Sequence, residues 1–201
     1  MSNLVVESNS SSTYIDVLLA ALFYKPSYLE HIFLNNVPKL PEFFYVQELV
    51  KHQFVESVQN NVGIPYHHIN YIKTVIFLTG WKPLKELLKE QDLVEFYGYL
   101  ADRLNIVPIS FQDIELYRID VSTNNLSDSV HLKTLLEMQQ RYITNSPVVV
   151  PIHIDRTNDA NRVKIDIPKK IKIDKEQDNS QDNKKSYQKF RFHSAICKSN
   201  G

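Results

Sequence analysis

A chain of 201 residues that is 43% hydrophobic carries enough apolar side chain for a sizeable core, which excludes wholesale disorder and predicts one domain, or a domain with a tail. Lys+Arg and Asp+Glu number 23 each, so the formal charge is zero and composition makes no electrostatic case for nucleic acid or an anionic membrane surface. The single cysteine, Cys197, excludes an internal disulfide and any cysteine-built zinc site, and it reads as a small buried hydrophobe.

Residues 1–9 read as a tail. They lack the basic start and apolar run of a signal peptide, and no apolar stretch approaches the roughly 20 residues that a bilayer span requires. An intracellular protein is expected, in cytoplasm or nucleus or packaged in a virion, and not a secreted one. Ser10, Ser11, Ser12 and Thr13 favour loops and helix N-caps, and an apolar helical pattern begins directly after them. Ile15, Leu18, Leu19 and Leu22 fall at i, i+3, i+4 and i+7, which predicts a helix starting at Thr13 or Tyr14 with one buried face. Thr13 followed by Asp16 has the spacing of a capping box.

Pro26, Pro38 and Pro41 confine residues 27–34 to a short helical segment. Residues 43–62 read as a longer helix with Val46, Leu49, Val50, Phe54 and Val58 on one face, ended by Gly63 and Pro65. The next helix runs over 67–79, with Ile69, Ile72, Val75 and Ile76 apolar, and Gly80 closes it. His67 and His68 are adjacent and so diverge on a helix, as surface residues of a first turn rather than joint metal ligands. In residues 81–105, Leu93, Phe96, Tyr97, Leu100 and Leu104 keep helical spacing on the core side, while Asp92, Glu95 and Tyr99 occupy another face. Asp92 as N-cap and Glu95 three residues on would make a second capping box.

After Asn105 the period changes. Residues 107–110 and 114–121 read as strands, 130–142 as helix, and 148–156 as a buried strand whose Pro151 suits an edge or a bulge. Asn158, Asp159 and Asn161 mark a turn, and 163–167 returns as a strand. Lys169, Lys170 and Lys172 are read as solvated lysines of an exposed strand rather than as a targeting signal. Residues 174–186 should be a mobile loop. A strand over 187–197 follows, with Phe190, Phe192 and Ile196 on one side and His193, Ala195 and Cys197 on the other. The whole reads as α+β: a helical part over 10–105 and a β part over 106–201, one domain overall.

Four of these stretches, in order, resemble the landmarks of the ubiquitin-specific proteases. Residues 11–23, SSTYIDVLLAALF, lie without a gap over the box Asn-Thr-Cys-Tyr-Met-Asn-Ser-Val-Leu-Gln-Ala-Leu-Phe, with Thr13 at the cysteine. Residues 91–96, QDLVEF, are similar to the box Gln-Gln-Asp-Ala-x-Glu-Phe, with Glu90 at its first glutamine. Ile154-Asp155-Arg156 covers a Leu-x-Arg, with Thr157 at the following aromatic, and residues 187–197 lie where the family has the strand that leads to its general-base histidine. The resemblance implies a papain-like cysteine-protease fold of the ubiquitin-specific protease type: an N-terminal helical thumb, then an antiparallel β palm, with reduced, metal-free fingers. It also implies that Asp92 and Glu95 line the groove for the tail of ubiquitin. The compact size resembles versions encoded by large DNA viruses.

The departures fall on chemistry. A thiolate needs a lowered thiol pKa, and a threonine hydroxyl is far harder to ionise. The oxyanion-hole asparagine would fall at Ser8, with Asn9 one place off, and the sequence stops at Gly201 before a histidine box. His193 and Cys197, i and i+4 on a strand, would stand roughly 13 Å apart, too far to pair. Serine-hydrolase motifs, a Gly-rich phosphate loop and metal-ligand histidine spacing are all missing from the sequence, so no cofactor and no metal are expected. The expected function is that of a catalytically inactive relative, acting through a protein partner such as ubiquitin or as a structural or assembly module, without nucleic acid. The alternative is an active deubiquitinating enzyme represented by a truncated or altered chain.

Overall fold

Helices come first along the chain and strands second, the α+β class, in a computed structural model that describes residues 11–111, 114–123, 129–138, 143–155, 164–175 and 187–196. The chain divides into two compact units, Met1–Ile106 together with Ser194–Gly201, and Val107–His193.

The first unit contains α1 (Thr13–Phe23), α2 (Tyr28–Asn35), α3 (Glu42–Val50), α4 (Glu56–Gln59), α5 (Tyr66–Leu78) and α6 (Leu93–Arg103), with a 3-10 turn at Leu84–Glu86. Pro26 precedes the cap of α2, where the Ser27 hydroxyl accepts the Leu29 N–H at 3.2 Å. A π-helical turn, Lys51–Val55, joins α3 to α4, so the helix expected over 43–62 is one helical run with an extra residue inserted. Phe54 and Val55, inside that turn, are both buried. The run also stops earlier than Gly63. Asn61 adopts φ 53°, and Val62 N–H reaches the Ser57 carbonyl at 2.9 Å, so an asparagine supplies the left-handed stop expected of the glycine. Gly80, at φ 92°, ends α5 as its position suggests. Phe33, Phe43, Phe54, Phe96, Ile69, Ile72 and Ile76 lie fully inside this unit's helical packing.

The second unit is built from short two-stranded ribbons. β1 (Ile109–Phe111) and β2 (Ile114–Leu116) pair antiparallel, as do β7 (Lys170–Asp174) and β8 (Tyr187–Arg191). β3 (Ile119–Ser122) pairs parallel with β5 (Ile152–Asp155), and β4 (Val130–His131) pairs parallel with β6 (Ile165–Asp166). Antiparallel pairing is expected throughout this half, but only two of the four described pairs are antiparallel. The connection from β3 to β5 runs through α7 (Leu132–Met138), long enough for the crossover a parallel pair requires, and β6 turns to β4 instead of folding back on β5. Ile109, Phe111, Ile119, Val121, Leu132, Leu135, Ile143 and Ile173 form the core.

Other expectations shift in detail. The strand expected over 114–121 breaks at Tyr117 and Arg118, and in the stretch 130–142, expected to be helix, β4 precedes α7 at Leu132–Met138 while 139–142 lie outside the described residues. The last strand ends at Arg191; Phe192 is 44% exposed and Ile196 38%, so the apolar side expected there does not continue. Of the loop expected over 174–186, Asp174 closes β7 and Lys175 bridges to Ile143, while 176–186 lie outside the described residues. The tail 1–9, Arg156, Thr157 and Cys197 lie outside them too.

Candidate functional site

Sequence pattern starts α1 at Thr13 or Tyr14, and the structure starts it at Thr13, but the local capping differs. Ser12 is the N-cap, at φ −119° and ψ −5°, with no side-chain cap bond, and the Thr13 side chain is exposed. The expected Thr13/Asp16 box is not formed, because Asp16 turns inward and is only 4% exposed. Lys73, in the second half of α5, is buried as well, at 2% exposed. Its ammonium donates to the Ser11 carbonyl and to the Ser11 hydroxyl, both at 2.9 Å. Burial pushes the Lys73 pKa below its ordinary value, and the negative charge of Asp16 opposes that shift. The entry into α1 is thus tied to α5 by a buried cation in the field of a buried carboxylate.

The second stretch is built by α6. Asp92 is its N-cap, with Oδ1 accepting the Glu95 N–H at 2.8 Å. Glu95 does not reach back to complete a capping box; its carboxylate accepts a 2.6 Å bond from Lys82 Nζ. Both acids remain exposed beside the positive end of the helix dipole. Tyr99, on the other expected face, donates its hydroxyl hydrogen to the Thr79 carbonyl at 2.9 Å and anchors the helix to the end of α5.

These two stretches meet. Tyr14, next to Thr13, packs edge-on against Phe96, next to Glu95, with ring centroids 5.0 Å apart and planes at 90°. Trp81 adds rings 5.5 Å from Phe96 and 4.9 Å from Tyr99. Burial pushes the Tyr14 phenol up to about 12; the Trp81 indole pulls the other way and the Asp16 charge adds to the rise. The result is a buried aromatic joint between the first turns of α1 and α6, while Thr13 and Glu95, its sequence neighbours, and Asp92 are exposed.

Lys73 is the site residue that pattern reading passes over, although a signal was present. Ile69, Ile72, Lys73 and Ile76 fall at i, i+3, i+4 and i+7, so the lysine interrupts the apolar stripe of α5. His67 and His68 do lie in the first turn of α5, but their rings touch edge-on at 4.6 Å instead of diverging. The other histidine contacts include two exposed cross-strand pairs: His153 with Asp120, and His131 with Asp166, each at 2.8 Å. Arg118 also binds Asp120, and these partners hold that carboxyl below its usual range although burial alone would raise it. Among the described residues no group of three or more His, Cys, Asp or Glu is placed to hold a metal ion, and no helix is long and apolar enough to cross a membrane. No family model matches the chain, and no curated protein matches it.

Proposed function

We propose that this chain is a binding protein related to the ubiquitin-specific proteases, with a papain-like arrangement and without hydrolytic chemistry at Thr13. The observation that carries this reading is the Tyr14–Phe96 contact. It brings together the two stretches whose sequences resemble the nucleophile box and the tail-groove box, and leaves Asp92 and Glu95 exposed beside them. Thr13 presents a hydroxyl at the helix start, where the electrostatics that make a thiolate leave a threonine protonated at neutral pH. Exposed carboxylates at a helix N-terminus suit a partner segment that carries arginine, through charge-assisted and bidentate bonds. Ubiquitin, whose tail bears arginine in the family's complexes, is the first partner to test; a structural or assembly partner is the other form of this reading.

The test is a titration of labelled ubiquitin against the full chain, its Asp92→Arg variant and its Asp92→Asn variant. Asparagine caps a helix about as well as aspartate, so the second variant removes charge while keeping the fold. Saturable binding by the unaltered chain that weakens at least tenfold in Asp92→Arg is expected. No saturable binding by the unaltered chain would remove ubiquitin as the partner.

A further inference from the structure

The β7–β8 ribbon has one face committed to the core and one committed to cations. Ile171, Ile173 and Phe190 pack on the core of the second unit, so alternation sends Lys170, Lys172, Lys189 and Arg191 outward, and all four are exposed. The register sets them directly against one another, Lys170 opposite Arg191 and Lys172 opposite Lys189. Like charges facing across a ribbon repel, so the arrangement works against the pairing that creates it. Along each strand the Cα atoms that carry the cations repeat about every 6.6 Å, and across the ribbon the facing Cβ atoms stand about 5 Å apart. The next pair on this face is Tyr187 with Asp174. Tyr187 is 43% exposed, with the Lys172 ammonium 4.2 Å from its ring centre and that of Lys189 at 5.8 Å.

From this juxtaposition we propose that the outward face of β7–β8 is a binding site for single-stranded nucleic acid: phosphates on the four cations and a base on Tyr187. The aromatic ring decides between this and an acidic peptide. A ring set among cations matches a polymer that alternates phosphates with flat bases, whereas a run of carboxylates gains nothing from it. Asp174, the one acid of the ladder, faces Tyr187 and repels anions from the end that the base would occupy. The zero net charge of the whole chain does not oppose this site, because binding follows local charge density within about a Debye length.

Fluorescence anisotropy with a labelled oligodeoxythymidine of about 12 nucleotides tests the assignment in the full chain. Four phosphate contacts give a slope of log affinity against log salt near −2.8, so affinity falls about 50-fold between roughly 50 and 200 mM salt. The double variant Lys172→Ala/Lys189→Ala reduces that slope to about −1.4 and the loss to about sevenfold; it relieves repulsion, so the ribbon still folds. Tyr187→Ala weakens binding about tenfold and leaves the slope unchanged. Lys85→Ala/Lys89→Ala, which removes two cations from the first unit, changes neither. Absence of saturable binding at low salt, a slope that ignores Lys172 and Lys189, or equal competition by a poly-glutamate of matched charge would each overturn the proposal; the last would assign the face to an acidic peptide.

Discussion

Replacing Lys73 by methionine keeps an unbranched side chain of four of its five heavy atoms and removes the charge and three donors, so it isolates what the buried ammonium does. In the native protein that ammonium makes two bonds of 2.9 Å to Ser11 and lies in the field of Asp16. Hydrogen bonds to charged groups contribute about 1.5–3 kcal/mol each, and loss of the ammonium also removes a favourable field from the buried Asp16 carboxylate. Part of this is recovered when the ammonium no longer has to leave water, so Lys73→Met should lose about 3 kcal/mol. Asp16→Asn added to Lys73→Met should cost less than the two single changes together, by about 0.5–3 kcal/mol, because the orphaned carboxylate has gone. A pH signature accompanies the loss. The folded-state pKa of Lys73 is lowered, so between that value and the unfolded value of about 10.4 the unfolded chain binds more protons, and stability rises with pH across that window. Lys73→Met should lack this rise. Urea unfolding followed by circular dichroism near neutral pH and near pH 10 measures both effects. A variant within about 0.5 kcal/mol of the native protein, with the pH dependence unchanged, would refute the anchoring role.

The phenol of Tyr14, raised to about 12, has the opposite sign: its contribution is complete below pH 10 and is lost as pH rises through the folded value, so Tyr14→Phe should flatten alkaline unfolding between about 10 and 12, read beside the tyrosinate absorbance. Asp92→Ala removes the N-cap of α6 and should cost about 1 kcal/mol in thermal or urea unfolding, whereas Asp92→Asn should stay within a few tenths. Asn61 sits at φ 53°, so Asn61→Gly should be neutral or stabilising by up to about 1 kcal/mol and Asn61→Val destabilising by about 1–2 kcal/mol; equal effects of the two in urea melts would show that backbone conformation does not govern this helix end.

The helical half was largely legible because its signals are local. Apolar spacing of three and four residues placed α1, α5 and α6, and Asp92 does cap a helix because the bond it accepts spans only three residues. Where a local rule failed, a stronger local or tertiary demand had taken over. Asn61, and not Gly63, adopts the left-handed conformation, and burial among packed side chains holds Asp16 away from the capping role its spacing suggests. The strand half was less legible, since the alternation that identifies Ile119–Ser122 or Ile165–Asp166 as strands carries no label for the partner or its direction.

The candidate sites divide in the same way. Alternation alone put Lys170 and Lys172 on one exposed side, and the same pattern is present in Lys189 and Arg191. Only the antiparallel register set these pairs face to face and turned a chain of zero net charge into one with a concentrated cationic surface. Likewise, sequence placed Thr13 and Asp92 at the starts of two helices, but the contact between Tyr14 and Phe96, and the reach of Lys73 to Ser11, were decided by packing. The physical reason is range: dihedral preferences and side-chain spacing act within a few residues, whereas burial and charge pairing depend on which distant segments the fold brings together.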